Sequence, residues 1–129
     1  MRHTMFMIEI DFSGEEAIYM QLHDQIILAI ANNILHDGDS LPSVRRLADS
    51  VGINMPTVNK AYGILRDEGY IRVDRRRGAV ISVDLDKLRA IEEVKAELRI
   101  TLAKAGCRGI PREELHAMID QIIDEYGGI

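Results

Sequence analysis

The sequence predicts a mainly α-helical protein with a small β wing, an α+β fold in which a winged helix-turn-helix is followed by a two-helix tail. Three observations predict this fold. Two short helical patterns flank a tight turn at Gly52, two β-branched runs lie on either side of the basic segment 74–78, and helical periodicity returns after Val83. We therefore expect two domains, residues 1–83 and residues 84–129.

Length and composition limit the class of protein. A chain of 129 residues of which 47% are apolar can bury one core of ordinary size. No apolar run reaches the ~18 residues of a membrane span, and Glu9 and Asp11 lie where a signal peptide would be apolar. The single cysteine, Cys107, cannot form an internal disulfide and suits a reducing compartment. We expect a cytoplasmic protein with no membrane partner.

The charge of the chain is distributed unevenly. The formal net charge is -5, but residues 36–83 hold eight basic and six acidic side chains, whereas residues 1–35 and 84–129 have net charges of -4 and -3. Phosphate contact depends on the charge of the docked face and not on that of the whole chain. A positive segment in an acidic chain is compatible with DNA binding, although an ordinary solvated face gives the same counts.

The first elements are expected to form a scaffold. Residues 7–12 alternate apolar and acidic side chains and predict a short strand or an extended arm. A helix is predicted from Ala17 to about Leu35, with Glu15 and Glu16 near its positive N-terminal end. Its apolar face comprises Ile18, Leu22, Ile26, Ala29 and Ile30.

Two capped helices follow. Ser43 is a suitable N-cap for a helix of about two turns, and Gly52 allows the backbone to turn sharply after it. Asn54 is the N-cap of a second helix that ends near Glu68, where Gly69 supplies a left-handed stop. Two short helices joined through such a turn are typical of a helix-turn-helix.

A basic hairpin is predicted after the second helix. Residues 71–73 and 80–83 are β-branched and read as two strands around the tip at residues 74–78. The Gly78 backbone can approach a partner closely, because this residue has no side chain. Planar cations that suit phosphate oxygens or a narrow minor groove precede it, namely Arg75, Arg76 and Arg77.

The tail is predicted to contain two amphipathic helices. Gly106 and Gly109 end the first helix, and Pro111 opens the second. Two helices cannot bury both apolar stripes, so a symmetric homodimer is the economical solution; packing against the first domain is the alternative. The stripes comprise Leu88, Ile91, Val94, Leu98 and Leu102 in the first helix and Leu115, Met118, Ile119, Ile122 and Ile123 in the second.

Candidate DNA contacts follow from the geometry of a helix-turn-helix, whose second helix enters the major groove with its N-terminal residues near base edges. Arg45, on the solvent side of the preceding helix, can reach phosphate or guanine, and Ser43 can add a phosphate contact to its capping role. The expected partner is double-stranded operator DNA. The second helix places Asn54, Met55, Thr57, Asn59 and Lys60 near it.

Four ordered motifs resemble a known family. They are Ile18-Tyr19-x-Gln21-Leu22, Gly38-Asp39-x-Leu41-Pro42-Ser43-x-Arg45-x-Leu47-Ala48, Thr57-Val58-x-x-Ala61-Tyr62 and Glu68-Gly69-Tyr70-Ile71. This set is similar to the N-terminal domain of the GntR family of bacterial transcription regulators, and the short tail resembles its YtrA-like branch.

The resemblance implies a homodimeric repressor that binds a palindromic operator of its own or of a transporter operon. In that family the positions that match Arg45, the start of the second helix and Gly78 contact operator DNA. The tail implies a dimerising appendage without a large effector domain. An unknown small-molecule effector would then sit at the dimer seam or between the domains.

Three other functions have some support in the residue types. Catalysis would rest on Cys107 and His116, which have no orienting partner, so we expect no enzyme. A metal site would rest on Glu113, His116 and Asp120 on one side of the last helix, which are too few ligands, so we expect no metal and no cofactor. A winged helix used only for protein-protein interaction remains the alternative, and steep salt dependence would distinguish DNA binding from it.

Overall fold

The computed structural model describes residues 8–126 and has the predicted mainly helical fold with a small antiparallel wing. The chain divides between Asp84 and Leu85 into two compact units. None of the helices in the described range is long and apolar enough to cross a membrane. The elements are α1 (Ile18–Ala31), α2 (Val44–Val51), α3 (Met55–Asp67), β1 (Ile71–Asp74), β2 (Gly78–Ile81), α4 (Lys87–Cys107) and α5 (Arg112–Asp124).

The core of the first unit is built mainly by α1 and α3. Leu22 and Ile26 of α1 and Val58 and Leu65 of α3 are completely buried. Burying a side chain of this size contributes ~1.5–3 kcal/mol relative to leaving it in water. The neighbouring segments add to this core the buried residues Leu35, Leu41, Leu47, Ala48, Ile71 and Ile81.

The predicted caps of the helix-turn-helix are confirmed. The Ser43 hydroxyl accepts a hydrogen bond from the backbone N–H of Arg46 at 3.2 Å, and α2 begins at the next residue. Asn54 caps α3 in the same way. Gly52 ends α2 in the left-handed region with φ 80°, and Gly69 follows α3 with φ 87°. These glycines reverse the chain where a side chain would strain the backbone.

The first helix is shorter than its apolar pattern predicts. α1 ends at Ala31 and not near Leu35, because the backbone N–H groups of Ile34 and Leu35 both turn back to the Ala29 carbonyl at 2.8 and 3.1 Å. This turn buries Leu35 without helical geometry. At the other end Ala17 is the N-cap, so Glu15 and Glu16 directly precede the helix, near its N-terminal end as predicted.

The N-terminal segment is an extended arm and not a strand. The backbone N–H of Glu9 donates to the Gln25 side chain at 2.9 Å, and that of Asp11 donates to the Gln21 side chain at 2.8 Å. The side chains of Gln21 and Gln25 in α1 therefore accept the backbone hydrogen bonds that a neighbouring strand would accept in a sheet. Met7, the first residue of the predicted segment, lies outside the described residues.

The wing consists of β1, β2 and the turn 75–77 between them. Its register pairs Ile71 with Ile81 and Asp74 with Gly78. The second strand begins two residues earlier than predicted, so Gly78 belongs to β2 and not to the tip. On the outer side of β2, Leu41 donates to the Ala79 carbonyl at 2.8 Å.

The second unit contains α4 and α5. Asp86 caps α4, its side chain accepting a hydrogen bond from the Arg89 N–H at 3.2 Å. The prediction that Gly106 ends this helix is wrong, because Gly106 keeps helical geometry and α4 continues to Cys107. Gly109, with φ 73°, supplies the left-handed turn before α5.

Candidate nucleic-acid interface

Helix α3 presents one polar face to solvent because its other face is in the core. Val58 and Leu65 are completely buried, and this fixes the rotation of the helix about its axis. Met55 is 41% exposed, and the exposed Asn59 side chain makes no hydrogen bond with any of residues 8–126. A carboxamide in this position can pair with adenine, and a thioether can contact a thymine methyl.

Asn54 and Thr57 use part of their hydrogen-bonding capacity within the helix cap. Asn54 Oδ1 accepts from the Thr57 backbone N–H at 2.9 Å and from the Thr57 hydroxyl at 2.5 Å. The cap uses Asn54 Oδ1, so the Nδ2 amide group of Asn54 is left to donate hydrogen bonds to DNA. Both residues therefore lie at the N-terminal end of α3, as predicted. Their hydrogen bonds cap the helix, a structural role that an ordinary surface residue does not have.

Lys60 is fixed by a contact that the local sequence does not indicate. Its Nζ lies 4.0 Å from the centroid of the Tyr19 ring, which belongs to α1. This cation–π contact orders a side chain that would otherwise sample many rotamers, and it leaves the ammonium on the solvent side of α3. Tyr19 occurs in a family motif, but its contact with α3 depends on the tertiary fold.

The start of α2 is fixed against α3 by a buried phenol. The Tyr62 hydroxyl donates to the Pro42 carbonyl at 2.8 Å, and burial raises the pKa of this phenol, so it remains a donor. Ser43 follows directly with its capping bond. Arg45 then lies exposed, with no ion pair to any of the described residues. The sequence did not single out Tyr62 as the residue that sets this geometry.

The tip of the wing is organised by a carboxylate. Asp74 accepts hydrogen bonds from the backbone N–H groups of Arg76 at 2.8 Å and Arg77 at 3.1 Å. The Arg72 guanidinium adds a contact of 3.3 Å. These donors, the two backbone groups first, hold the pKa of the Asp74 carboxyl below its ordinary value of 3.8.

The arginines of the wing do not act alike. Arg75 and Arg76 are exposed, and their side chains have no ion pair or hydrogen bond to residues 8–126. Arg77 instead donates from Nε to the Ser40 hydroxyl at 3.2 Å and from Nη2 to the Gly38 carbonyl. Gly78 has φ 73° and open space where a Cβ would stand, so its backbone can be approached closely.

A buried histidine joins α1 to the end of α3. His23 Nε2 lies 2.5 Å from Glu68 Oε1, and Nδ1 lies 2.8 Å from Asp24 Oδ1. Burial opposes the charged imidazolium, but the hydrogen bonds and charges of Glu68 and Asp24 together raise the His23 pKa above 6.5. The spacing of histidines along the sequence does not predict the role of His23, because its partner Glu68 is distant in sequence.

The tail keeps its apolar stripes at the surface of the chain. Ala105 is the only residue of the described part of the second unit that is buried, and Leu115 is half-buried. The other predicted interface residues are exposed by 39 to 79%, namely Leu88, Ile91, Val94, Leu98, Leu102, Met118, Ile119, Ile122 and Ile123.

Ligands of a metal ion are not clustered in the described residues. No group of three or more His, Cys, Asp or Glu side chains from residues 8–126 is placed to hold a metal, and this includes Glu113, His116 and Asp120. Cys107 is an exposed free thiol.

Sequence comparison relates the chain to bacterial regulators. Residues 18–81 match the family described as bacterial regulatory proteins, gntR family. The chain is 36% identical over 126 residues to the HTH-type transcriptional repressor YtrA of Bacillus subtilis (strain 168), covering 95% of this chain and 96% of that protein. This family and this relative are transcription regulators, which are not enzymes.

Solved structures with a similar fold lead to the same assignment. A transcriptional antiterminator from Listeria monocytogenes EGD-e has a TM-score of 0.81 at 28% identity, covering 91% of this chain and 90% of that chain. YtrA from Sulfolobus acidocaldarius, a GntR-family transcription factor, has a TM-score of 0.56 at 41% identity, covering 92% of this chain and 97% of that chain. The chain therefore belongs to the GntR family, as a transcription regulator of the YtrA type with a DNA-binding winged helix-turn-helix.

Proposed function

We propose that the chain is a homodimeric repressor that binds a palindromic DNA operator, of its own gene or of a transporter operon. In this proposal residues 1–83 bind DNA, residues 84–129 form the dimer, and the protein acts in the cytoplasm. The observation that carries the proposal is the polar face of α3, exposed on a helix whose opposite face is completely buried.

The DNA contacts are divided between α3, α2 and the wing. Met55 and Asn59 reach base edges in the major groove, since both are exposed at the N-terminal part of α3. Arg45 contacts phosphate or guanine from α2. The wing approaches an adjacent part of the duplex, because Gly78 leaves its backbone open there. Further contacts come from Ser43, Asn54, Thr57, Lys60, Arg75 and Arg76, and Arg77 lies beside them at the tip of the wing.

Dimer formation is supported by the exposed stripes of α4 and α5. An apolar face of this extent on one chain favours association, and a two-fold axis lets the same patch cover its own twin. Two copies of α3 would then enter half-sites ~34 Å apart, or a multiple of that spacing, on a palindrome. The repressor role is supported by the name of the Bacillus subtilis relative, whose length the chain covers to 96%.

The test is a titration of the full chain against the DNA upstream of its own gene, at several salt concentrations and beside a scrambled duplex. We expect sequence-preferring binding that weakens steeply with salt, because bound phosphates release counterions. Sedimentation on the same sample should give a dimer. Arg99→Ala, which removes one positive charge from α4, is the matched control for arginine variants in the interface.

Absence of sequence-preferring, salt-sensitive binding to the upstream DNA would contradict the proposal. It would favour a winged helix that contacts an acidic protein instead of DNA.

A further inference from the structure

The side chain of Arg77 turns away from the tip of the wing. Nε donates to the Ser40 hydroxyl at 3.2 Å, and Nη2 donates to the Gly38 carbonyl. The neighbouring Arg75 and Arg76 side chains have no such partner in residues 8–126. All three consecutive arginines are exposed, but Arg77 alone hydrogen-bonds through its side chain to the described residues.

The segment that Arg77 contacts links the wing to the helix-turn-helix. The Gly38 N–H donates to the Ile81 carbonyl, and the Ile81 N–H donates to the Asp39 carbonyl, both at 2.8 Å. Ser40 forms an isolated bridge with Val80. Residues 38–41 thus run along the outer side of β2 and continue directly into the N-cap of α2.

We propose that Arg77 is a positioning residue that fixes the tip of the wing relative to α2 and α3, while Arg75 and Arg76 contact DNA phosphate. A ribbon of two four-residue strands has little stability of its own. The planar guanidinium donates to two acceptors on one segment at once, which a single ammonium cannot reproduce. This inference rests on the proposed contact between the wing and DNA.

The orientation of the tip is set from both of its ends. Asp74 accepts from the backbone N–H groups of Arg76 and Arg77, which shapes the turn itself. Arg77 connects this shaped turn to Ser40 across the β2 strand. Loss of the Arg77 contact should therefore leave the turn intact but allow the wing to move relative to α3. DNA binding would then have to order the wing as well, and this would weaken the affinity.

The test compares Arg77→Ala and Arg77→Lys with the double variant Arg75→Ala/Arg76→Ala in the full chain. The probes are a duplex selected from a random library and a scrambled duplex, each titrated at several salt concentrations and at a temperature where every variant is folded by circular dichroism. The double variant should flatten the slope of log K against log salt by ~2–4, because each lost phosphate contact removes ~0.9 and the homodimer carries two wings.

Arg77→Ala should weaken binding to the selected duplex about five-fold for each wing of the homodimer, with an unchanged slope, since this is the factor expected for one net hydrogen bond. Arg77→Lys keeps the charge and should not restore affinity. Ser40→Ala should also weaken binding. It should have little further effect when combined with Arg77→Ala, because both substitutions remove the same hydrogen bond between Arg77 and Ser40. Arg99→Ala is the control for general loss of charge.

Two outcomes would overturn the proposal while leaving the proposed function intact. A slope that Arg77→Ala flattens by ~0.9 for each of the two wings, with recovery in Arg77→Lys, would make Arg77 a phosphate contact. Full affinity in Arg77→Ala at a lowered melting temperature would give it a purely stabilising role. An unchanged slope in the Arg75→Ala/Arg76→Ala variant would instead show that the wing arginines do not contact DNA phosphate. Both the positioning role of Arg77 and the proposed contact between the wing and DNA would then be wrong.

Discussion

Arg45 is the residue of α2 that is best placed to contact DNA. It is exposed and lies two positions after Ser43, in the helix whose start is fixed by the Tyr62 to Pro42 hydrogen bond. We expect Arg45→Ala to weaken specific binding by at least ~1 kcal/mol, with Arg99→Ala as the matched control. The measurement is a titration of the selected and the scrambled duplex.

The two duplexes also distinguish the kind of contact that Arg45 makes. A guanine contact should be lost only on the selected duplex, whereas a phosphate contact should be lost on both with a flatter salt slope. An Arg45→Ala variant that binds the selected duplex like the unmodified protein would show that this residue is not in the interface.

His23 should make stability depend on pH. Its folded pKa is raised above 6.5, so the proton is bound more tightly in the folded state than in the unfolded state. The contribution of protonated His23 to the free energy of unfolding is therefore complete below the pKa of histidine in the unfolded state, and it is lost as pH rises through the pKa in the folded state. We expect the difference in melting temperature between the protein and His23→Gln to be largest at acidic pH and to shrink above neutral pH.

His116→Gln is the control for the histidine experiment, because the His116 side chain is exposed and has no ion pair with any of residues 8–126. A His23→Gln difference that stays constant across the pH range would show that His23 contributes by packing and not by its charge.

At the residue scale, exposure could be predicted from the sequence but most partners could not. Helical periodicity placed Asn59 and Met55 on the polar face of α3, because the pattern of buried residues fixes the rotation of the helix. The contacts of Lys60 with Tyr19 and of Arg77 with Gly38 join residues that are far apart in sequence. Such pairs depend on how the elements pack, and local spacing carries no information about them.

At the element scale, two glycines should respond to the same substitution with opposite signs. Gly78 has φ 73° at the start of β2, so alanine there should cost ~1 kcal/mol of unfolding free energy through backbone strain alone. Gly63 lies inside α3, where an added Cβ meets only the Arg66 side chain at 4.0 Å. Gly63→Ala should stabilise the protein by ~0.5–1 kcal/mol.

Urea unfolding of the two alanine variants beside the unmodified chain tests this pair. Destabilisation by both substitutions would mean that the helix around Gly63 has no room for a methyl group. Stabilisation by both would mean that the wing relaxes into an unstrained turn at Gly78.

Boundaries of elements were predicted best where a side chain defines them. Ser43 and Asn54 each accept a hydrogen bond from the helix that follows, so the residue type itself indicates the boundary. Glycine is less informative, because Gly106 continues α4 whereas Gly109 turns the chain. The second strand was predicted too late because its first residue is Gly78, which lacks the β-branched character of a strand.

At the scale of the whole molecule, charge and apolar surface are separated along the chain. The segment 36–83 has a net charge of +2 and contains the candidate DNA contacts, whereas the flanking segments are acidic. Acidic surface is repelled by DNA, so this distribution favours encounters in which the basic face leads. The exposed apolar stripes lie instead in α4 and α5, which suits a separate role for that unit.

Removal of the tail should therefore separate folding from dimer formation. The hydrophobic core of the first unit is formed by residues between Leu22 and Ile81, so a chain of residues 1–83 retains it complete. We expect a cooperatively folding monomer that binds the selected duplex ~100-fold or more weakly, because the second half-site no longer binds as part of the same complex. Sedimentation and DNA titration measure the two effects.

Two substitutions in α4 of the full chain show whether the apolar stripe itself forms the dimer. Leu98 is 40% exposed on the stripe, and Ile100, which is 61% exposed, lies two residues further and thus on a different side of the helix. Leu98→Glu should give a monomer with the weak DNA binding of the truncated chain, because dimer formation would bury its charge. Ile100→Glu adds the same charge and should remain dimeric. A truncated chain that stays dimeric, or equal effects of the two substitutions, would contradict the assignment of this face.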